Sequence, residues 1–131
     1  MKGIDTNILV RYLTRDEPAQ WARAQRYIQD TGAAGEQCLI NVIVLCETVW
    51  ILRSFYGVQR DTIAAVLEKI LTARQFEVED KDLAWAALRE YRATGADFAD
   101  CLIGQRNRMA GCDETATFDK ALRHLEHFKV L

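Results

Sequence analysis

A single proline and only two histidines occur among the 131 residues, and the four cysteines, Cys38, Cys46, Cys101 and Cys112, form no C-x-x-C pair. The scarcity of proline excludes collagen-like and proline-rich linker sequence. The cysteine spacing excludes a zinc ribbon or a disulfide scaffold, and reads as reduced thiols. Long apolar runs are missing too: the best stretch, residues 40–52, is broken by Asn41, Glu47 and Thr48, too short and too polar to span a bilayer. The first residues lack the basic-then-apolar order of a signal peptide, so the expected location is the cytoplasm, with no membrane partner. Nor is there an excess of positive charge, since 17 Lys and Arg face 19 Asp and Glu for a net −2. No bulk field therefore advertises a nucleic acid, and any such partner needs a local basic patch.

What is present is half hydrophobic and about a quarter charged, the balance of a folded globule rather than a disordered chain. At ~150 residues per domain the length predicts one domain over 1–131. Short apolar runs at 1–4, 38–40, 76–78 and 128–131, with a β-branched but little apolar stretch at 114–117, read as strands and alternate with amphipathic stretches at helical spacing. Asn41 is placed to cap a long apolar helix that stops at Gly57; Asp80 and Asp97 are placed to cap two later helices, and a short helix should follow Asp119. Strands alternating with helices, ten or more residues apart, predict an α/β fold with a parallel sheet covered on both faces. Ligands of such sheets gather beyond the carboxyl ends of the strands.

Four carboxylates stand out in that frame. Asp5 follows the first strand, Glu47 lies within the most apolar helix, Asp100 falls one turn into a later helix, and Asp119 follows the fourth strand. Around Glu47 the residues Val44, Leu45, Val49, Trp50 and Leu52 leave little polar face, and an unpaired charge there costs several kcal/mol. Asp5 and Asp119 have a plainer reading as helix caps. Asp97 is assigned to the cap of its helix and Asp100, three residues on, to the site. Gathered at one sheet edge, carboxylates ~5 Å apart repel by roughly 3 kcal/mol per pair at an effective dielectric near 20. Such a cluster calls for a cation, and an all-oxygen donor set selects Mg²⁺ or Mn²⁺ over zinc or copper.

Ile4-Asp5-Thr6-Asn7, Leu45-Cys46-Glu47, the run from Ala96-Asp97 to Asp100-Cys101-Leu102-Ile103, and Thr117-Phe118-Asp119 together resemble a PIN domain. The length is similar to that of the stand-alone VapC toxins of toxin–antitoxin pairs. The resemblance implies a three-layer α/β/α sandwich with a parallel five-stranded sheet, and Mg²⁺- or Mn²⁺-dependent endoribonuclease activity. It matches Asp5, Glu47 and Asp100 to the three core acidic positions and Asp119 to a more variable fourth. Thr6, Asn7 and Thr117 match polar residues that organise the site, beside Asp97. Asn41 departs from the Ser or Thr more usual at its position, and Cys46 and Cys101 stand where alanine is common. A homodimer and an antitoxin seated in an apolar groove are further implications.

The expected mechanism is in-line attack of a metal-activated water on an RNA phosphodiester. His124 and His127, three apart near the end of the chain, read as surface residues, which argues against metal-free imidazole catalysis. Arg11, Arg15, Arg53, Arg106 and Arg108 are the candidates for RNA phosphate contact. Trp21, Tyr27, Trp50, Phe55 and Tyr56 are expected mostly to pack the core. Two rivals remain: a Mg²⁺-dependent phosphatase or phosphoacceptor domain, which also places an Asp after strand one but wants a second acid close by where Asn7 stands, and a non-catalytic PIN-like module that binds RNA or protein.

Overall fold

The computed structural model describes residues 1–131 and divides into two compact units, Met1–Asp80 and Lys81–Leu131. The first unit contains β1 (Lys2–Gly3), α1 (Thr6–Thr14), α2 (Pro18–Ala33), β2 (Cys38–Ile40), α3 (Val42–Ser54), α4 (Arg60–Thr72) and β3 (Phe76–Val78). Its strands pair in parallel in the order β1-β2-β3, with Lys2 opposite Cys38 and Cys38 opposite Phe76. The core of this unit is built by Leu9 and Ile28 from the first two helices, Ile40 and Val78 from the strands, and Leu45, Leu52, Ile63 and Leu67 from α3 and α4. Asn41 Oδ1 accepts from Val44 N at 2.9 Å, so the side chain expected to cap α3 does so. Beyond its other end Gly57, at φ 60°, lets Val58 N turn back to Leu52 O at 2.9 Å.

The second unit holds α5 (Lys81–Ala93), α6 (Phe98–Met109), β4 (Thr115–Thr117), a 3₁₀ turn (Lys120–His124) and β5 (Phe128–Val130). Helices α5 and α6 pack on each other, with Tyr91 and Phe98 edge to face at 5.8 Å, and β4 pairs in parallel with β5. Gly104 sits where α6 meets the approach to β5. A Cβ there would lie 2.6 Å from His127 Nε2 and from Phe128 Cε2, so only glycine permits this packing.

The α/β class, the five strands and their parallel pairing stand as the sequence predicts, but the strands form two hydrogen-bonded ladders, of three and two, rather than one continuous ladder of five. Other expectations change. His127 is 93% buried rather than exposed, because it packs on Phe128 and lies 3.4 Å from Glu90 Oε2; His124 is exposed. Asp80 sits at φ 51°, left-handed rather than the extended backbone of an N-cap. The short helix expected after Asp119 is present, as a 3₁₀ helix over Lys120–His124. Of the five aromatics assigned mostly to the core, Trp50, Phe55 and Tyr27 are exposed and Trp21 and Tyr56 half-buried. The chain carries more apolar side chains than its core takes up. No helix is long and apolar enough to cross a membrane.

Candidate active site

Within the first unit, Asp5 occupies the turn between β1 and α1. Its backbone is extended and its Oδ1 accepts from Ile8 N at 3.1 Å, so it is the N-cap of α1. Capping uses one carboxylate oxygen and still delivers the charge just past the strand. Thr6, the next residue, donates from Oγ1 to Glu47 Oε1 at 2.8 Å, joining the start of α1 to the middle of α3. Asn7 follows, exposed. These four residues are therefore neighbours, as the spacing of their motifs implies.

Glu47 is nevertheless not squeezed between apolar neighbours. Helix α3 buries Val44, Leu45, Thr48, Val49 and Leu52, whereas Ile43, Glu47 and Trp50, at spacings of four and three, lie together on its outer side. The expectation of a forced, buried charge at Glu47 is thus corrected: the helix is apolar nearly all round, and the acid shares its exposed face with apolar residues.

Asp97, Asp100 and Asp119 belong to the second unit. Asp97 has the extended backbone of the α6 N-cap, and its carbonyl accepts from Cys101 N, but its side chain makes no cap hydrogen bond. Asp97 is therefore the cap by backbone position, as expected, while the expectation that its carboxylate is spent on the first-turn amides is corrected. Its charge acts on Asp100 instead. Burial, then the negative charges of Asp97 and Asp119, raise the Asp100 carboxyl above its ordinary value. Asp119 accepts from Ala121 N through Oδ1 at 2.9 Å, while its own N–H donates to Thr117 Oγ1 at 3.1 Å. The Thr117 hydroxyl thus holds the backbone of Asp119.

Asp5, Glu47, Asp100 and Asp119 form no ion pair with a lysine or arginine. The donors are all hard oxygens, the type that a hard dication takes. No three acidic, histidine or cysteine side chains are drawn into a ready cage. In donor type the residues fit a hard divalent ion.

The basic residues sort differently from expectation. Arg11 is occupied: Nη1 lies 3.2 Å from Asp16 Oδ1 and 3.3 Å from Tyr56 Oη, and Nε donates to Gln20 Oε1 at 2.7 Å. The Tyr56 hydroxyl, ahead of Thr14 and Arg11, also holds the Asp16 carboxyl below its ordinary value. Arg15 stacks over the Trp21 ring at 4.9 Å. Arg53 and Arg106 are exposed, and Arg108 lines a separate cavity beside Glu90 and His127. Sequence reasoning missed Arg23 and Tyr27, which line a cavity of about 530 Å³ together with Asp5. The signal was available, since Gln20, Arg23 and Tyr27 recur at spacings of three and four along one helical stripe.

A family model described as "PIN domain" matches residues 3–127. The "VapC ribonuclease" of Aquifex aeolicus (strain VF5) is 27% identical over 125 residues, covering 95% of this chain and 92% of that relative. No solved structure matches significantly.

Proposed function

Since this chain belongs to the PIN domain family, we propose that it is a metal-dependent endoribonuclease that hydrolyses RNA phosphodiester bonds, and the toxin of a type II toxin–antitoxin pair. The observation that carries the reading is the set of acids left without a cationic side chain, with the Asp100 carboxyl raised above its ordinary value by burial and by Asp97 and Asp119. The similarity to a protein named VapC ribonuclease points the same way.

Asp5, Glu47 and Asp100 would hold Mg²⁺ or Mn²⁺ directly or through water, with Asp119 supporting a second ion or orienting the nucleophile. Bound there, the ion supplies polarisation of a phosphoryl oxygen and a more acidic water. The chain's own part is positional. Asp5 is immobilised by its cap bond to Ile8 N, and the Thr6 hydroxyl restrains the Glu47 carboxylate, so both acids wait in fixed orientation. Thr117 does the same for Asp119 through its backbone N–H. Burial, with Asp97 and Asp119, raises the Asp100 carboxyl above its ordinary value.

The partners are single-stranded RNA, an antitoxin and a second copy of the chain, all within the cytoplasm. The dimer reading is supported by α3, whose outer face exposes 70% of Ile43 and 60% of Trp50, with Phe55 just past its end at 75%. Trp50→Glu should convert a dimer to a monomer by light scattering.

Labelled RNA incubated with purified protein and Mg²⁺ or Mn²⁺ tests the activity. Cleavage should vanish in excess EDTA and in Asp100→Asn, and a small phosphate ester should remain intact. Equal cleavage in EDTA would overturn the metal, and turnover of the ester in place of RNA would favour the phosphatase reading.

A further inference from the structure

We infer that the cavity between α1 and α2 is a nucleotide-binding pocket that receives one unpaired RNA nucleotide beside the scissile phosphate, its base on Tyr27 and its phosphate on Arg23. The inference rests on the ribonuclease reading and adds to it a substrate-positioning site. The cavity holds about 530 Å³, within the usual range for a small-molecule site, and Asp5 lies on its wall. A strand occupying it is therefore delivered to an acid of the proposed catalytic set.

Each part of a nucleotide has a counterpart there. Tyr27 exposes 43% of its surface, and Lys2 Nζ lies over one face of the ring, 6.0 Å from its centroid. An exposed ring flanked by a cation is a platform for a base next to its phosphate. Arg23 lines the same cavity and has no acidic partner, unlike Arg11, whose charge is met by Asp16. Gln20 gives its Oε1 to Arg11 Nε at 2.7 Å, which turns the amide so that its two N–H donors remain for a base edge. Asn7 supplies a second amide on the opposite helix.

The same surface is poorly suited to a protein segment. A groove for a partner helix presents large apolar anchors at successive turns, whereas here Ile8 and the small Ala24 stand among Asn7, Gln20, Arg23 and Tyr27. Amides, a free guanidinium and one ring are the vocabulary of single-stranded RNA recognition.

The test uses the full chain and a short fluorescent oligoribonucleotide containing a mapped cleavage position, with binding read by anisotropy in EDTA. Tyr27→Ala should weaken binding by about 5- to 100-fold, the range of base–aromatic stacking. Tyr27→Phe, which keeps the ring, should stay within about twofold. Arg23→Gln should weaken binding and lower the slope of log affinity against log salt by about one. An abasic substitution at one nucleotide flanking the cut should weaken wild-type binding yet cost Tyr27→Ala nothing further. Wild-type affinity in both Tyr27→Ala and Arg23→Gln, or an abasic penalty that persists in Tyr27→Ala, overturns the pocket. So does loss of a co-expressed partner protein from these variants with RNA binding intact, which would assign the cavity to that protein. Parallel cleavage by the metal-loaded wild type separates the two ideas: if it cuts RNA while the variants bind normally, only the pocket fails. If it neither cuts nor binds RNA, the ribonuclease reading fails first.

Discussion

Thr6 Oγ1 and Glu47 Oε1, 41 positions apart in the chain, meet at 2.8 Å. The bond ties the first turn of α1, which Asp5 caps, to the centre of α3, and so restrains two acids on helices that also meet through Arg11 and Tyr56. A hydroxyl serves here because it donates to the carboxylate without neutralising it, leaving the charge for a metal.

Replacing Thr6 by valine keeps the shape and removes the donor. RNA cleavage should fall by about 10- to 100-fold, the usual effect of removing a group that orients a metal-binding carboxylate. Folding stability should drop by only about 0.5–1.5 kcal/mol in urea titrations. Thr6→Ser should restore most of the activity, and failure of that rescue would show that the methyl group, not the hydroxyl, matters.

Asp5 performs two jobs that two substitutions separate. Asparagine caps helices about as well as aspartate, so Asp5→Asn should melt at the wild-type temperature. Asp5→Ala loses the bond to Ile8 N and about 1 kcal/mol of stability. Both should lose cleavage by at least about 100-fold, since neither offers a carboxylate. Calorimetry alongside a cleavage assay distinguishes the two effects.

Asp100 makes stability depend on pH with a definite sign. Its carboxyl is raised by burial and by Asp97 and Asp119, so the folded chain keeps this proton to higher pH than the unfolded chain does. The penalty is absent below the ordinary aspartate value of about 3.9 and grows as pH rises through the folded value. Asp100→Asn should therefore be the more stable protein at pH 7, with the difference closing as pH falls to about 3.9. Added Mg²⁺ should raise the melting temperature of wild type more than that of the variant. An unchanged difference across the titration would remove the electrostatic explanation.

Gly104→Ala inverts a common rule. In an exposed helix that change stabilises by about 1 kcal/mol, but here the new Cβ meets His127 and Phe128 at 2.6 Å. The expected outcome is a loss of about 1–3 kcal/mol, read from the midpoint of urea unfolding.

Local chemistry made much of this protein legible. Strand and helix order followed from apolar spacing and from punctuation such as Asn41 and Gly57, because capping and turn formation are decided within a few residues. The placing of Asp5 and Asp119 just after short strands followed as well. The side-chain task of Asp97 was not legible: an N-cap position is a backbone property, and whether the carboxylate bonds the helix or faces another charge depends on its surroundings. The same holds for His127, whose burial against Glu90 and Phe128 arises only when α5, α6 and β5 meet.

By itself, then, the order of residues determined the class of fold, the family and the hard-oxygen chemistry of the acids, all of which rest on short-range patterns. Tertiary structure alone decided which side of α3 faces water, that Thr6 reaches Glu47, that Arg11 is occupied while Arg23 is not, and that Tyr27 opens a cavity at Asp5. These facts turn on distances between segments far apart in the chain, and such distances come from packing many side chains at once rather than from any local propensity.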